Sequence, residues 1–218
     1  MKRKIFMKRA QSRGDSGFAR VLTMVALMLT FAVTGAWAQT EQTEWSTTSS
    51  LPTSAGDYKL TTDVSISSTW AAPSGKTTID LNGHGIIMTS ESYGAYEECS
   101  VIKVTSDRTL TIKDTNTSST EGTGTNRPDG IEGGYITGGH GTGGTFFSTW
   151  ASVCGGGIFV RGGNFVLDGG TICGNRLDFT NGADGGGVCI IENGTFTMNG
   201  GYIKNNIGSG GGVCIGTN

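Results

Sequence analysis

The chain has 218 residues, a net charge of −2 and 35% hydrophobic residues, so it lacks the basic balance that binding to nucleic acid or to an anionic membrane surface calls for. Thirty-eight residues are glycine and only three are proline, with glycine more than twice its usual ~7%. There is no strict three-residue period, which excludes collagen, and too little proline for a proline-rich linker.

The first segment is a targeting sequence. Lys2, Arg3, Lys4, Lys8, Arg9, Arg13 and Arg20 precede an apolar run from Val21 to Val33, and Ala36-Trp37-Ala38 follows as a small-x-small cleavage pattern. That order predicts a secretory signal peptide over residues 1–38, cleaved near Ala38. The competing reading is an uncleaved anchor, since Val21 to Ala38 is just long enough to span a bilayer. The short apolar run and the cleavage pattern favour removal. The chain is therefore expected to be secreted, or held at the cell surface or outer membrane, meeting membrane only through export or an anchor domain outside this sequence. Residues 39–56 read as a polar, Ser/Thr-rich lead-in.

From residue 57 to 218 the chain repeats itself. Thr78 to Ile86 aligns without a gap on Thr195 to Ile203. Ile102 and Val104, then Leu110 and Ile112, repeat the spacing of Val188 and Ile190, then Phe196 and Met198. The triplets at Gly155, Gly185 and Gly210 each precede Ile or Val. Apolar residues alternate within each unit, which is the period of a strand with one buried face. No sustained 3.6-residue period appears after residue 38. Like strands recurring without helices predict a coil that stacks on its own copies, a right-handed parallel β-helix of about four to five coils. Ile79, Leu110, Phe165 and Phe196 form one predicted internal ladder, separated by 31, 55 and 31 residues. Leu81, Ile112, Leu167 and Met198 form a second, and Ile86, Ile136, Ile172 and Ile203 a third. The glycine triplets are expected to supply positive-φ corners and close packing. Asn175 and Asn206 are expected to form a turn ladder. His84 is expected to be a turn residue.

The 55-residue step marks a loop-rich insertion at about 114–154. It carries Arg127, Asp129, Phe146, Phe147 and Trp150, the candidate partner-binding residues, because long loops on a rigid scaffold often carry function and Trp with Phe can stack on sugar rings. The alternative is that these aromatics cover one side of the helix. Cys189 and Cys214 share an outward column on successive coils. A rung separation of roughly 4.8 Å is compatible with a disulfide, and an oxidising compartment permits one; two thiols are the alternative. No cysteine pair has CxxC spacing, so zinc is not expected. The calcium-binding nonapeptide is absent as a tandem repeat, and Gly182-Ala183-Asp184-Gly185-Gly186 is only a fragment of it. No cofactor is expected, with Ca²⁺ the one ion left open.

The paired Gly-Gly-Gly-[Ile/Val] and Ile-x-x-Asn motifs, the latter at Ile172–Asn175 and Ile203–Asn206, resemble the repeats of bacterial polymorphic outer-membrane proteins. They are also similar to adhesin-type members of the pectin-lyase-like β-helix superfamily. That family's usual pattern has alanine in the third position and Phe where Ile172 and Ile203 stand. Asp80-Leu81-Asn82-Gly83-His84 looks like the early coils of many secreted β-helix proteins. The similarity covers roughly residues 60–218.

The resemblance implies a non-enzymatic surface scaffold with an adhesin-like role that binds a glycan or a host or cell-surface protein. The alternative is a polysaccharide lyase or hydrolase whose catalytic residues lie outside this chain. Enzymes of this fold cluster carboxylates on one exterior face, and a catalytic pair must be close enough to share the chemistry. The predicted outward columns Asp80, Thr111, Val166, Thr197 and Asn82, Lys113, Asp168, Asn199 hold no two carboxylates on neighbouring rungs. Asp178, Asp184 and Glu192 fall on loops or turns. No catalytic residue is assigned. The final strand, three residues before the end, predicts either a fragment of a longer array or a chain that self-associates through its open edge.

Overall fold

The computed structural model describes residues 41–89, 100–118, 127–142, 156–178, 185–208 and 210–216; the expected signal peptide lies outside them. Short strands succeed one another around a coil. Thr43–Trp45 (β1) comes first. Asp57–Leu60 (β2), Val64–Ile66 (β3) and Trp70–Ala71 (β4) make the first full coil, and Gly75–Asp80 (β5), Gly85–Met88 (β6) and Ile102–Thr105 (β7) the second. The third holds Arg108–Lys113 (β8), Tyr135–Thr137 (β9), a side strand His140–Thr142 (β10) and Ile158–Arg161 (β11). The fourth holds Asn164–Leu167 (β12), Thr171–Cys173 (β13), a side strand Arg176–Asp178 (β14) and Val188–Ile191 (β15). Thr195–Met198 (β16), Tyr202–Lys204 (β17) and Val213–Ile215 (β18) complete the fifth.

Corresponding strands pair in parallel from coil to coil. The first sheet runs β1-β2-β5-β8-β12-β16, the second β3-β6-β9-β13-β17, the third β4-β7-β11-β15-β18. The side strands β10 and β14 pair with each other, also in parallel. Three parallel sheets wound by one chain, with no helix among the described residues, form the all-β parallel β-helix that the repeat predicts.

The cause is the two-residue period. In β8, Leu110 and Ile112 are fully buried while Thr109 and Thr111 are half-buried; β12 repeats this with Phe165 and Leu167. Each buried Leu, Ile or Phe contributes about 1.5–3 kcal/mol, and one rung supplies the wall that buries the next. The third predicted ladder holds in full, since Ile86 pairs with Ile136, Ile136 with Ile172 and Ile172 with Ile203, and Val64 extends it by one coil. Phe165 pairs with Leu110 and Phe196 as predicted, with the two phenyl rings stacked 5.3 Å apart.

The second coil departs from the prediction. Ile79 pairs with Ile112 rather than Leu110, and Leu110 faces Thr77. The slip is two residues, so Ile79 still faces inward, and alternation alone cannot distinguish registers that differ by an even number. Thr77 thereby enters the core, and its hydroxyl is buried with no hydrogen-bond partner. Leu81 passes beyond the strand and packs beneath Gly134 and Gly170.

Among the described triplet glycines only Gly211 has positive φ, while others serve packing. Gly157 and Gly187 lack positive φ, but a Cβ on Gly157 would stand 2.7 Å from the Gly187 carbonyl oxygen, and one on Gly187 would stand 2.5 Å from that of Gly212. Positive φ is also found at Gly170 and Gly201, equivalent positions in the turn between the first and second sheets. The asparagine ladder is as predicted. Asn175 is fully buried; its amide donates to the carbonyls of Ile136 and Cys173 and to Asn206 Oδ1, while its own oxygen accepts from Gly139 N–H.

The two ends differ. Part of the expected lead-in closes the first: β1 extends the first sheet, Ser65 N–H donates to Thr48 carbonyl, Leu51 is buried, and the Trp70 indole donates to Pro52 carbonyl. At the other end Met198, Ile207, Val213 and Ile215 are 46, 56, 39 and 74% exposed.

Candidate binding groove at the corner between two sheets

The corner joining the first sheet to the second is built by carboxylates that grip backbone amides. Asp80 is fully buried and accepts from Asn82 N–H at 3.0 Å, from Thr115 N–H at 3.0 Å and from the Thr115 hydroxyl at 2.8 Å. Asp114 accepts from Gly83 N–H at 2.8 Å and Gly134 N–H at 2.7 Å. Asp63 accepts from Gly85 N–H at 2.8 Å, and His84 Nδ1 lies 3.4 Å away, within a turn as expected. The two-residue slip puts Asp80, not Asn82, beside Lys113. A carboxylate accepting several backbone N–H bonds satisfies donors that a sharp turn would otherwise leave bare, so these acids act as corner posts.

Further along, the corner opens into a groove of about 750 Å³ lined by Asp114, Thr117, Glu132, Asp168, Tyr202 and Lys204 among others. Asp168 and Glu132 are exposed. Asp168 accepts from the Asn199 amide at 2.8 Å. The Tyr202 side chain is 66% exposed, and Lys204 Nζ lies 5.5 Å from its ring centroid while reaching the Gly130 carbonyl at 3.5 Å. The groove therefore offers an aromatic face, two accessible carboxylates and one ammonium on a rigid stacked frame.

The residues singled out from the sequence fare differently. Arg127 is a structural latch: its guanidinium donates to the carbonyls of Gly83, Ile131 and Gly133 and lies 4.7 Å over the Tyr135 ring. These contacts tie the half-buried side chain to the corner. Asp129 is exposed next to Gly130 of the groove rim. Phe146, Phe147 and Trp150 lie outside the described residues. Cys189 and Cys214 are register partners and both are buried. Their column does point away from the main core, but it is not open to solvent, because Phe159 and Leu177 cover it in a second apolar cluster. Glu192 is held by Arg161 at 2.8 Å. Tyr202, Lys204, Glu132 and Thr117 were not singled out. Tyr202 and Lys204 flank inward Ile203 on β17, and that outward placement was the available signal.

Among the described residues no group of three or more His, Cys, Asp or Glu side chains is gathered closely enough to hold a metal ion, and no helix is long and apolar enough to cross a membrane. No protein family, curated protein or solved structure matches the chain.

Two groups behind the corner are shifted by burial. The Cys173 thiol is pushed up to about 11 by desolvation, which leaves it protonated and inert at neutral pH. The Tyr135 phenol is pushed up to about 12, first by burial and then by the nearby Asp63 carboxylate, with Arg127 opposing. An unfolded tyrosine titrates near 10. Between those values the unfolded chain has lost the proton and the folded chain keeps it, so stability falls as pH rises through that window. The urea midpoint is expected to drop from about pH 10 to 12, and to drop less in Tyr135→Phe. Equal slopes for the two proteins would contradict this.

Proposed function

We propose that this chain is a secreted or cell-surface scaffold of the pectin-lyase-like β-helix superfamily, adhesin-like and non-enzymatic, which binds glycan along the corner groove. The observation that carries the reading is the exposed Tyr202 ring, flanked by Lys204 in a groove that also presents Asp168 and Glu132. An aromatic face packs against the C–H face of a sugar ring, while carboxylates and an ammonium satisfy hydroxyls around it; few, well-placed polar groups beside an apolar surface are what small-ligand clefts provide. The carboxylates deeper in the corner, Asp80 and Asp114, are occupied with backbone amides, which favours binding over proton transfer. In an oxidising compartment Cys189 and Cys214 would join as a disulfide across the last two rungs.

The test is binding to immobilised glycans together with incubation with uronic-acid polymers. Tyr202→Ala is expected to weaken glycan binding about tenfold, the loss of roughly 1.4 kcal/mol, with the circular dichroism spectrum unchanged. Binding indifferent to this change would remove the groove from consideration. Release of unsaturated uronate products would overturn the non-enzymatic reading.

A further inference from the structure

We infer that the corner groove selects glycans carrying free amino groups, which rests on the glycan reading above and names its class. Three carboxylates, those of Asp114, Glu132 and Asp168, line the groove against one ammonium, that of Lys204, among the described lining residues. Asp129 adds a fourth carboxylate, exposed beside the rim at Gly130. This charge is not cancelled from within. Lys204 Nζ reaches the Gly130 carbonyl at 3.5 Å and lies 5.5 Å from the Tyr202 ring centroid, and it pairs with none of these acids. Neither Asp129 nor Glu132 makes a hydrogen bond or ion pair within the described structure. Asp168 accepts from Asn199 through Oδ1, which leaves its second oxygen open. Only Asp114, half-buried and tied to the amides of Gly83 and Gly134, is committed to the fold.

The kind of cation such a wall accepts follows from how the acids are spread. Among the described residues they are not gathered closely enough to share a metal ion. Glu132 belongs to the third coil and Asp168 to the fourth, so each can meet a separate positive group along a chain molecule. Gly169, Gly170, Gly200 and Gly201 line the groove without side chains, which lets a flat ring approach the backbone. A glucosamine oligomer meets all three conditions. Its rings offer a C–H face to Tyr202, and its ammonium groups recur along the chain and form charge-assisted hydrogen bonds with carboxylates. N-acetylation removes that charge. A uronate oligomer replaces it with like charge, which opposes binding.

The experiment is calorimetric titration of the full chain with three oligosaccharides of equal length, built from glucosamine, N-acetylglucosamine and galacturonate, at low and high salt. The glucosamine oligomer is expected to bind about tenfold more tightly than the acetylated one, the effect of two partly screened charge pairs. That advantage should shrink as salt rises, and galacturonate should bind most weakly. Glu132→Gln and Asp168→Asn, both at exposed positions and each checked by circular dichroism, should each cut the ratio between the first two oligomers by roughly threefold. Equal affinity for all three, or tightest binding of galacturonate, overturns the amino-sugar class while the glycan reading stands. A ratio unmoved in both folded variants overturns it as well. So does a lysine oligomer of equal charge that competes as well as glucosamine, since charge alone would then be recognised. Failure of all three to bind overturns the class, and the glycan reading falls with it if the immobilised glycans also fail to bind.

Discussion

Phe165→Ala is expected to destabilise the fold by about 3–5 kcal/mol, the range for a large aromatic removed from a close-packed core. Phe165 is fully buried, sits between Leu110 and Phe196 in the ladder, and stacks on the Phe196 ring. Neighbouring rungs are held at strand spacing by backbone pairing on both sides, so the wall cannot collapse inward to fill the space. Phe196→Ala should cost distinctly less, because that ring is only partly buried. Thr197→Asp, on the exposed face of β16, should stay within about 0.5 kcal/mol. Urea melts of the three variants check the order. If Phe196→Ala proved as costly as Phe165→Ala, the difference in burial between the two rings would not set the cost.

Asn175→Ala is expected to cost about 3 kcal/mol or more. The substitution leaves the buried Gly139 N–H without its acceptor and takes a donor from the carbonyls of Ile136 and Cys173. A buried polar group stripped of its partner costs about 1–3 kcal/mol, and three are affected. Asn206 is only partly buried and itself donates to Ile172 carbonyl, so Asn206→Ala should cost less than half as much. Asn175→Asp is the sharper probe, since a carboxylate keeps the shape but cannot donate to the two carbonyls. Thermal unfolding that ranked Asn206→Ala above Asn175→Ala would contradict the ladder.

The architecture was legible because its signal is a period. Alternation placed Phe165, Leu167, Phe196 and Met198 on one side, and the Ile86–Ile136–Ile172–Ile203 ladder followed from matching one unit on another. The register of Ile79 was not legible. Two inward residues two positions apart are interchangeable to any alternation rule, and the choice between them rests on where the Asp80 turn is anchored, through bonds to Thr115 that no spacing reveals. The candidate groove was harder still. It is formed where Glu132 and Thr117 meet Asp168 and Tyr202, residues contributed by different coils. The internal contacts of Arg127 were not legible for the same reason. A basic residue in polar text reads as exposed, and only the fold brings the Gly83 carbonyl to it.

The corner posts also bear on how the chain reaches this state. Asp80 binds Thr115, Asp114 binds Gly83, and Asp168 binds Asn199, at separations of 35, 31 and 31 residues. Each bond thus joins a coil only to its immediate neighbour, and the strand pairs follow the same rule. Among the bonds between coils only a few reach two coils, such as the Tyr135 hydroxyl to Asp63 and Lys204 to the Gly130 carbonyl. A chain delivered gradually from its N-terminus can therefore grow its structure at the rate of delivery, each new coil templated on a wall already in place. The end closed by Leu51 and Trp70 emerges first and gives that growth a finished base.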